Sequence, residues 1–145
     1  MEFRAFATDS PEHVAALRLR EEILRRPLGL TITPAELERD QGCCHLGAFE
    51  EAGDTVPVAV LLLQPLEGGT VQMRQVAVAE TRQRGGIGAA LIAYAETFAR
   101  GRGFTDLIAH ARGTAVGFYE RIGYRVEGEE FTEQTIPHRL VTKRL

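Results

Sequence analysis

Val76 to Ala90 reads V-A-V-A-E-T-R-Q-R-G-G-I-G-A-A: a short apolar run of strand character, a basic glycine-rich turn, and the start of an Ala/Leu/Ile-rich helix. That order builds an anion site. The first turn of a helix leaves backbone N–H groups without intrahelical partners, and the helix dipole adds partial positive charge there. Gly85, Gly86 and Gly88 leave room for close approach by a phosphate, and Arg82 and Arg84 add formal charge. A pyrophosphate suits such a loop. The Gly-Lys-Ser/Thr of a Walker loop is absent, and Leu91 stands where a Rossmann fingerprint beginning at Gly86 needs its third glycine.

The elements on either side follow from local signals. Glu2 to Ala7 reads as a first strand, and Asp9-Ser10-Pro11-Glu12 opens a helix that runs to about Arg25 and stops at Pro27. Thr33-Pro34 begins a second helix, to about Asp40. Leu46–Glu50 and Val56–Leu63 read as paired strands about the Ala52-Gly53-Asp54 turn, and Val71–Val78 as a fourth strand. Ile87, Leu91, Ala95, Phe98 and Ala99 share one face of a helix from Ile87 to about Arg100. A fifth strand at Phe104–Ala111, a short helix at Thr114–Ile122, a sixth strand starting at Tyr124–Val126 and a last strand at His138–Lys143 complete the chain. Residues 1–145 are expected to form one mixed α/β domain, a twisted, mostly antiparallel sheet of six to seven strands with helices on both faces.

Composition excludes several classes. A chain of 145 residues with 44% hydrophobic and 26% charged residues can bury a core, and a net charge of −3 gives no electrostatic reason to bind nucleic acid or an anionic membrane. The apolar run from Val56 to Leu66 is interrupted by Pro57, Gln64 and Pro65 and is far shorter than the roughly 20 residues that span a bilayer. Met1-Glu2-Phe3-Arg4 has no apolar signal-peptide core, so a cytoplasmic location is expected. Adjacent Cys43 and Cys44 are poorly placed to bridge each other and have no second pair with which to hold zinc; no metal is expected. A nucleophilic thiol beside His45 conflicts with strand alternation, which sends Cys44 and His45 to opposite faces.

Q-x-x-G-x-G-A, from Gln83 to Ala89, resembles the acyl-coenzyme A signature of the GNAT acyltransferase superfamily, and Ala115 to Tyr124, A-V-G-F-Y-E-R-I-G-Y, resembles its downstream A-x-x-F-Y-x-x-x-G-F segment. The tail Phe131-Thr132-Glu133 with Ile136-Pro137-His138 is similar to the ending of a small bacterial group, the ElaA-like and YjcF-like proteins, as is Leu24-Arg25-Arg26-Pro27-Leu28-Gly29 with Asp40 and His45. The resemblance implies the GNAT fold and acetyl-coenzyme A or coenzyme A as acyl-donor substrate. The implied reaction is acetyl transfer to a primary amine, small or peptidic, by direct attack in a ternary complex.

By the same resemblance Val76, Ala77 and Val78 lie along the pantetheine arm and offer a backbone N–H to the reaction's oxyanion. Gln83, Arg84, Gly85, Gly86, Ile87, Gly88 and Ala89 hold the pyrophosphate, and Phe118 belongs to the cofactor side. Tyr119 is the implied acid for the departing thiolate. Arg112 replaces an asparagine that bonds pantetheine in many members, and either contacts coenzyme A or forms an ion pair. The base is open: counting back from the glycines puts Gln72 where many relatives carry glutamate, and an amide takes no proton. His110, Glu133 and His138 are the candidates, with histidine, of ordinary pKa about 6.5, the better matched. Each has a bland alternative, as a core strand histidine, a solvated loop acid and a structural tail residue.

Glu36, Glu38, Asp40, Glu129, Glu130 and Glu133 make the segments expected to build the acceptor pocket acidic, which suits a cationic amine. Two other readings compete with catalysis: a coenzyme A-binding sensor or interaction module without turnover, and a nucleotide-binding regulator. The oligomeric state is open, a homodimer being the commonest assembly among soluble proteins.

Overall fold

The structure, a computed structural model, describes residues 1–145. Seven strands form one sheet in the order β1-β2-β3-β4-β5-β7-β6, with β1 Glu2–Phe6, β2 Cys44–Phe49, β3 Ala59–Pro65, β4 Thr70–Val78, β5 Asp106–Arg112, β6 Arg125–Glu133 and β7 Ile136–Arg144. Every pairing is antiparallel except β4 with β5. The mixed α/β fold read from the sequence is therefore present, at seven strands.

Alternation along β3 explains the layering. Ala59, Leu61 and Leu63 belong to the main core with Leu91, Ile92, Ala95 and Ala99 of helix α3 (Ile87–Gly101), whereas Val60 joins Ala77 against Ala16 and Leu19 of helix α1 (Pro11–Arg20). A strand buried on both faces is apolar throughout, as A-V-L-L-L is. Helices α2 (Pro34–Asp40) and α4 (Val116–Arg121) are short.

The first helix is not uniform to Arg25 as its pattern suggests. Regular α-helix ends at Arg20, and Glu21–Arg25 form a widened π-type turn, closed by the Arg26 N–H on the Glu21 carbonyl. A single 3₁₀ turn, Arg26–Leu28, follows, with Pro27, which has no N–H to donate, at its centre. The acidic tail is likewise not a loop. Glu129, Glu130 and Glu133 lie on β6, which forms a hairpin with β7 through Gln134 and Thr135, at φ 51° and 67°. Two consecutive positive φ angles match the twist of a two-residue hairpin, but neither residue is the glycine or asparagine that announces one.

Polar groups buried beneath α1 tie the helical arm to the sheet. Asp40 accepts from Arg20 Nη2 at 2.8 Å and from Arg74 Nη1 at 3.1 Å, and all three side chains are buried. Asp40 is therefore a structural counter-ion and not an acceptor-binding acid. His45 projects into the same layer, stacks on Phe6 and packs against His13 with ring centroids 4.7 Å apart. Burial, reinforced by His13 and Arg20, pushes its pKa down to about 4.

That shift makes stability pH-dependent. Between about pH 6.5 and 4 the unfolded chain binds a proton at His45 that the folded protein refuses, so stability is fully present above this window and falls as the pH drops through it. In denaturant titrations, the wild-type protein should lose about 2–3 kcal/mol more than His45→Gln between neutral pH and pH ~4.5. Equal losses would show that His45 does not carry the effect.

Candidate active site

Strands β4 and β5 pair only from Thr70↔Asp106 to Met73↔Ala109. Beyond that point β4 gains a residue against β3: Arg74 opposes Leu62 while Ala77 opposes Val60, and Gln75 in the bulge has φ 57°. The bulge turns β4 away from β5. Its backbone groups that point toward β5 after Met73 have no ladder partner, and a cavity of about 220 Å³ opens in the gap. Gln72, Val76, His110, Arg112, Tyr119, Glu133 and His138 line it. Ala77 and Val78 continue β4 beyond the lining and pair with β3 on their other side.

The glycine-rich loop follows at the end of the same strand. Gly86 is the N-cap of α3 at φ 82°, a conformation that side chains oppose. The backbone N–H groups of Arg84 through Ala89 find no backbone acceptor, which leaves a row of donors at a helix N-terminus. A Cβ on Gly88 would lie 3.4 Å from Val78 Cγ2, in van der Waals contact with β4. Gln83 Nε2 donates to the Val78 carbonyl at 3.0 Å and ties the loop to β4. Arg82 is paired with Glu50, which leaves Arg84, exposed, as the loop's free cation. Ile87 packs against the main core, anchoring the first turn of α3.

The three candidate bases, from three strands, meet. His110 Nδ1 lies 2.9 Å from Glu133 Oε1, and His138 Nε2 lies 3.9 Å from Glu133 Oε2. An ionised carboxylate can only accept, so His110 donates through Nδ1 and keeps Nε2 as the acceptor. His138 Nδ1 is 3.0 Å from the Ile136 carbonyl and donates to it. Phe131 packs against both imidazoles, edge-on to His110 and stacked on His138. Glu133 is thus held on a hairpin end rather than free in a loop.

Two neighbouring tyrosines are separated by what they touch. Tyr124 donates to Glu96 Oε2 at 2.8 Å and is committed to the core; burial and Glu96 both raise its pKa. Tyr119, on α4, lines the cavity, and burial alone pushes its pKa up to about 12, so it stays protonated throughout the neutral range. Phe118 packs edge-on against Tyr119 from outside the cavity.

Neither cysteine lines the cavity, although Cys43 Sγ lies 4.0 Å from Arg74 Nη1. Cys44 packs against the main core on the face opposite His45, and burial raises the pKa of Cys43, disfavouring its thiolate.

The expectation of an acidic pocket is overturned. Arg25, Arg39, Arg74 and Arg112 line the cavity against only Glu36 and Glu133, while Glu129 and Glu130 lie exposed on β6. Arg25 is buried and donates through Nη2 to Glu36 Oε2 at 2.8 Å and to Gln75 Oε1 at 3.2 Å. Arg112 donates to the Leu24 carbonyl at 2.9 Å, on the α1 side of the gap and away from the glycine loop. Sequence reasoning missed Arg25 and Arg74 as site residues. The available signal was Arg74 itself, a cation within the strand V-Q-M-R-Q-V.

The acetyltransferase (GNAT) family model matches residues 7–124. The chain belongs to the GNAT acetyltransferase family. A Bacillus subtilis protein provisionally named an acetyltransferase is 29% identical over 101 residues, which make up 70% of this chain and 66% of that relative, just under two thirds of its length. A Lactobacillus plantarum protein provisionally named an N-acetyltransferase superposes with a TM-score of 0.87 at 25% identity, covering 99% of this chain and 97% of its own. An Elizabethkingia anophelis GNAT acetyltransferase crystallised with acetyl-CoA has the same fold, with a TM-score of 0.74 at 17% identity, 99% of this chain and 97% of that one covered.

The unpartnered loop amides predict a ligand response. Coenzyme A should raise the melting temperature of the wild-type protein while NAD leaves it unchanged. Gly86→Glu and Gly88→Glu should abolish the rise, because each places a side chain and a negative charge among the donors. Retention of the full shift in both folded variants would remove the loop from the binding site.

Proposed function

We propose that this GNAT family member is an acyl-coenzyme A-dependent N-acetyltransferase that acts on a primary amine by direct transfer, and that by its tail and N-terminal motifs it stands with the ElaA-like and YjcF-like group. The observation that carries the reading is the convergence of an oriented imidazole and a protonated tyrosine on one cavity, next to a loop of free amides. A sensor without turnover has no need of that pairing.

When bound, acetyl-coenzyme A supplies the acetyl thioester. Its pyrophosphate fits the N–H groups of Arg84 to Ala89, and its pantetheine arm fits the open edge of β4 along Val76, Ala77 and Val78, in the manner of an added strand. An alkyl amine is mostly protonated near neutral pH and attacks only after losing that proton. His110 Nε2 is the acceptor for it, oriented through Nδ1 by Glu133, with His138 Nε2 3.9 Å from the other oxygen of that carboxylate. Tyr119 supports the sulfur as it departs. A phenol of pKa about 12 does not give up its proton ahead of bond cleavage; it donates as negative charge builds. No acyl-enzyme is required, so Cys43 and Cys44 have no part.

Tyr119→Phe keeps the ring and its packing while removing the hydroxyl. Thiol release should fall about 10²- to 10⁴-fold, with coenzyme A affinity and melting temperature nearly unchanged. The loss should shrink with a donor whose leaving thiol is more acidic. A near-wild-type rate would leave the site without this acid. His110→Gln should lower turnover about 10²-fold or more, with coenzyme A affinity again preserved.

A further inference from the structure

The charge lining the cavity is one-sided, and its carboxylates are already engaged. Glu36 accepts from Arg25 and Glu133 from His110, while the nearby Asp40 is shared between Arg20 and Arg74. Each acid therefore has a partner, but each cation does not. Arg112 and Arg39 are in no salt bridge, and the hydrogen bond from Arg112 goes to the neutral Leu24 carbonyl. Arg112 is half-buried beside Arg25, and both burial and the charge of Arg25 disfavour its protonated form. Like charges held together away from water are costly unless an anion completes the set.

Position gives the surplus charge a use. His110 and Arg112 are alternate residues of β5, so their side chains leave the same face of the strand, with Cα atoms about 7 Å apart, and both line the cavity. Arg112 reaches toward the helical arm at Leu24, and Arg25 follows Leu24 in the chain. The pyrophosphate loop begins beyond Val78 and contributes no residue to the cavity lining, so these cations are not part of it.

We propose that the acceptor is a small primary amine bearing a carboxylate, of the amino-acid class, with the carboxylate held by Arg112 beside Arg25 and the amine presented to His110 Nε2. The guanidinium fork matches a carboxylate through paired N–H···O bonds, and the arginines exclude a purely cationic polyamine by repulsion. Arg112 is a positioning residue. In the reaction the amine nitrogen forms a bond to the acetyl carbon and the carbon–sulfur bond breaks. His110 takes the first proton of the ammonium before attack and passes it to solvent; the second, lost as the amide forms, replaces the proton that Tyr119 gives to the departing sulfur, so coenzyme A leaves as the thiol. This inference rests on the acetyltransferase reading for its reaction and on the cavity alone for its binding claim.

The test uses the proteinogenic amino acids, each paired with its amide, together with 4-aminobutyrate paired with butylamine. Thiol release from acetyl-coenzyme A is measured, and binding of the same compounds to the coenzyme A-saturated protein is followed by calorimetry. At least one acid should be preferred over its uncharged-end partner by about 10-fold or more in kcat/KM. Arg112→Gln should remove that preference by raising the KM of the acid about 10- to 100-fold, with kcat within a few-fold of wild type. Arg112→Lys should restore part of it. The KM of acetyl-coenzyme A and the coenzyme A-induced rise in melting temperature should not move, which also shows that the variants fold. Preference for the amides and butylamine would overturn the proposal, as would an effect of Arg112→Gln on acetyl-coenzyme A alone. Should no amine turn over, the catalytic reading fails by itself. Carboxylate-dependent binding lost in Arg112→Gln still upholds the acceptor site, and absence of such binding overturns it.

Discussion

The parting of β4 from β5 is the constraint on which the site depends. Parallel pairing holds from Thr70 to Met73, and the extra residue at Gln75 then bends β4 out of the ladder. An open sheet edge inside a domain exposes unpaired backbone N–H and C=O groups, which proteins otherwise cover or pair. Here the gap is the cavity. The same strand carries cavity-lining residues on its way in, presents an open edge after the bulge, and delivers the chain at Val78 to the glycine loop. One backbone irregularity therefore aligns a groove for an extended arm with an anion site at its end.

Around that gap, charge is arranged in two layers. Beneath α1, Asp40 neutralises part of the Arg20 and Arg74 charge, and Arg20 Nε and Nη1 remain buried without partners. A buried polar cluster of this kind contributes little net stability over an apolar one, but breaking one partner is costly because the other charge is left uncompensated. It locks the α1–α2 arm against β4. The second layer faces the cavity, where Arg25 bridges Glu36 of α2 and Gln75 of the bulge. The helical arm and the bent strand are thus joined by the groups that give the pocket its sign, and that sign is positive in a protein whose net charge is −3.

Similar residues divide between chemistry and architecture according to their surroundings. Tyr119 and Tyr124 lie with ring centroids 5.4 Å apart, yet Glu96 takes the hydroxyl of Tyr124, and Lys143 completes that ion pair at 3.1 Å. Tyr119 has no such carboxylate and keeps its proton because burial disfavours the phenolate. Among the four histidines, His13 and His45 are kept neutral in the α1 layer, while His110 and His138 are drawn to Glu133 in the cavity. Composition alone could not separate these pairs.

The sequence by itself determined what depends on neighbours in the chain. The strand–loop–helix from Val76 to Ala90, the apolar face of α3 and the N-caps at Ser10 and Thr33 all follow from local periodicity, capping and glycine placement. The hairpin at Gln134-Thr135 escaped because its positive φ values are borne by residues that do not advertise them. The charge of the pocket escaped for a deeper reason. Summing acids along Glu36–Asp40 and Glu129–Glu133 treats every carboxylate as facing the acceptor, but strand order and helix placement send Asp40 to Arg20 and Arg74, Glu36 to Arg25 and Glu133 to His110. Those partners are separated by 11 to 34 residues in the chain. Only the tertiary structure, by seating β7 between β5 and β6 and folding the helical arm over β4, decided which charges cancel and which are left for a ligand.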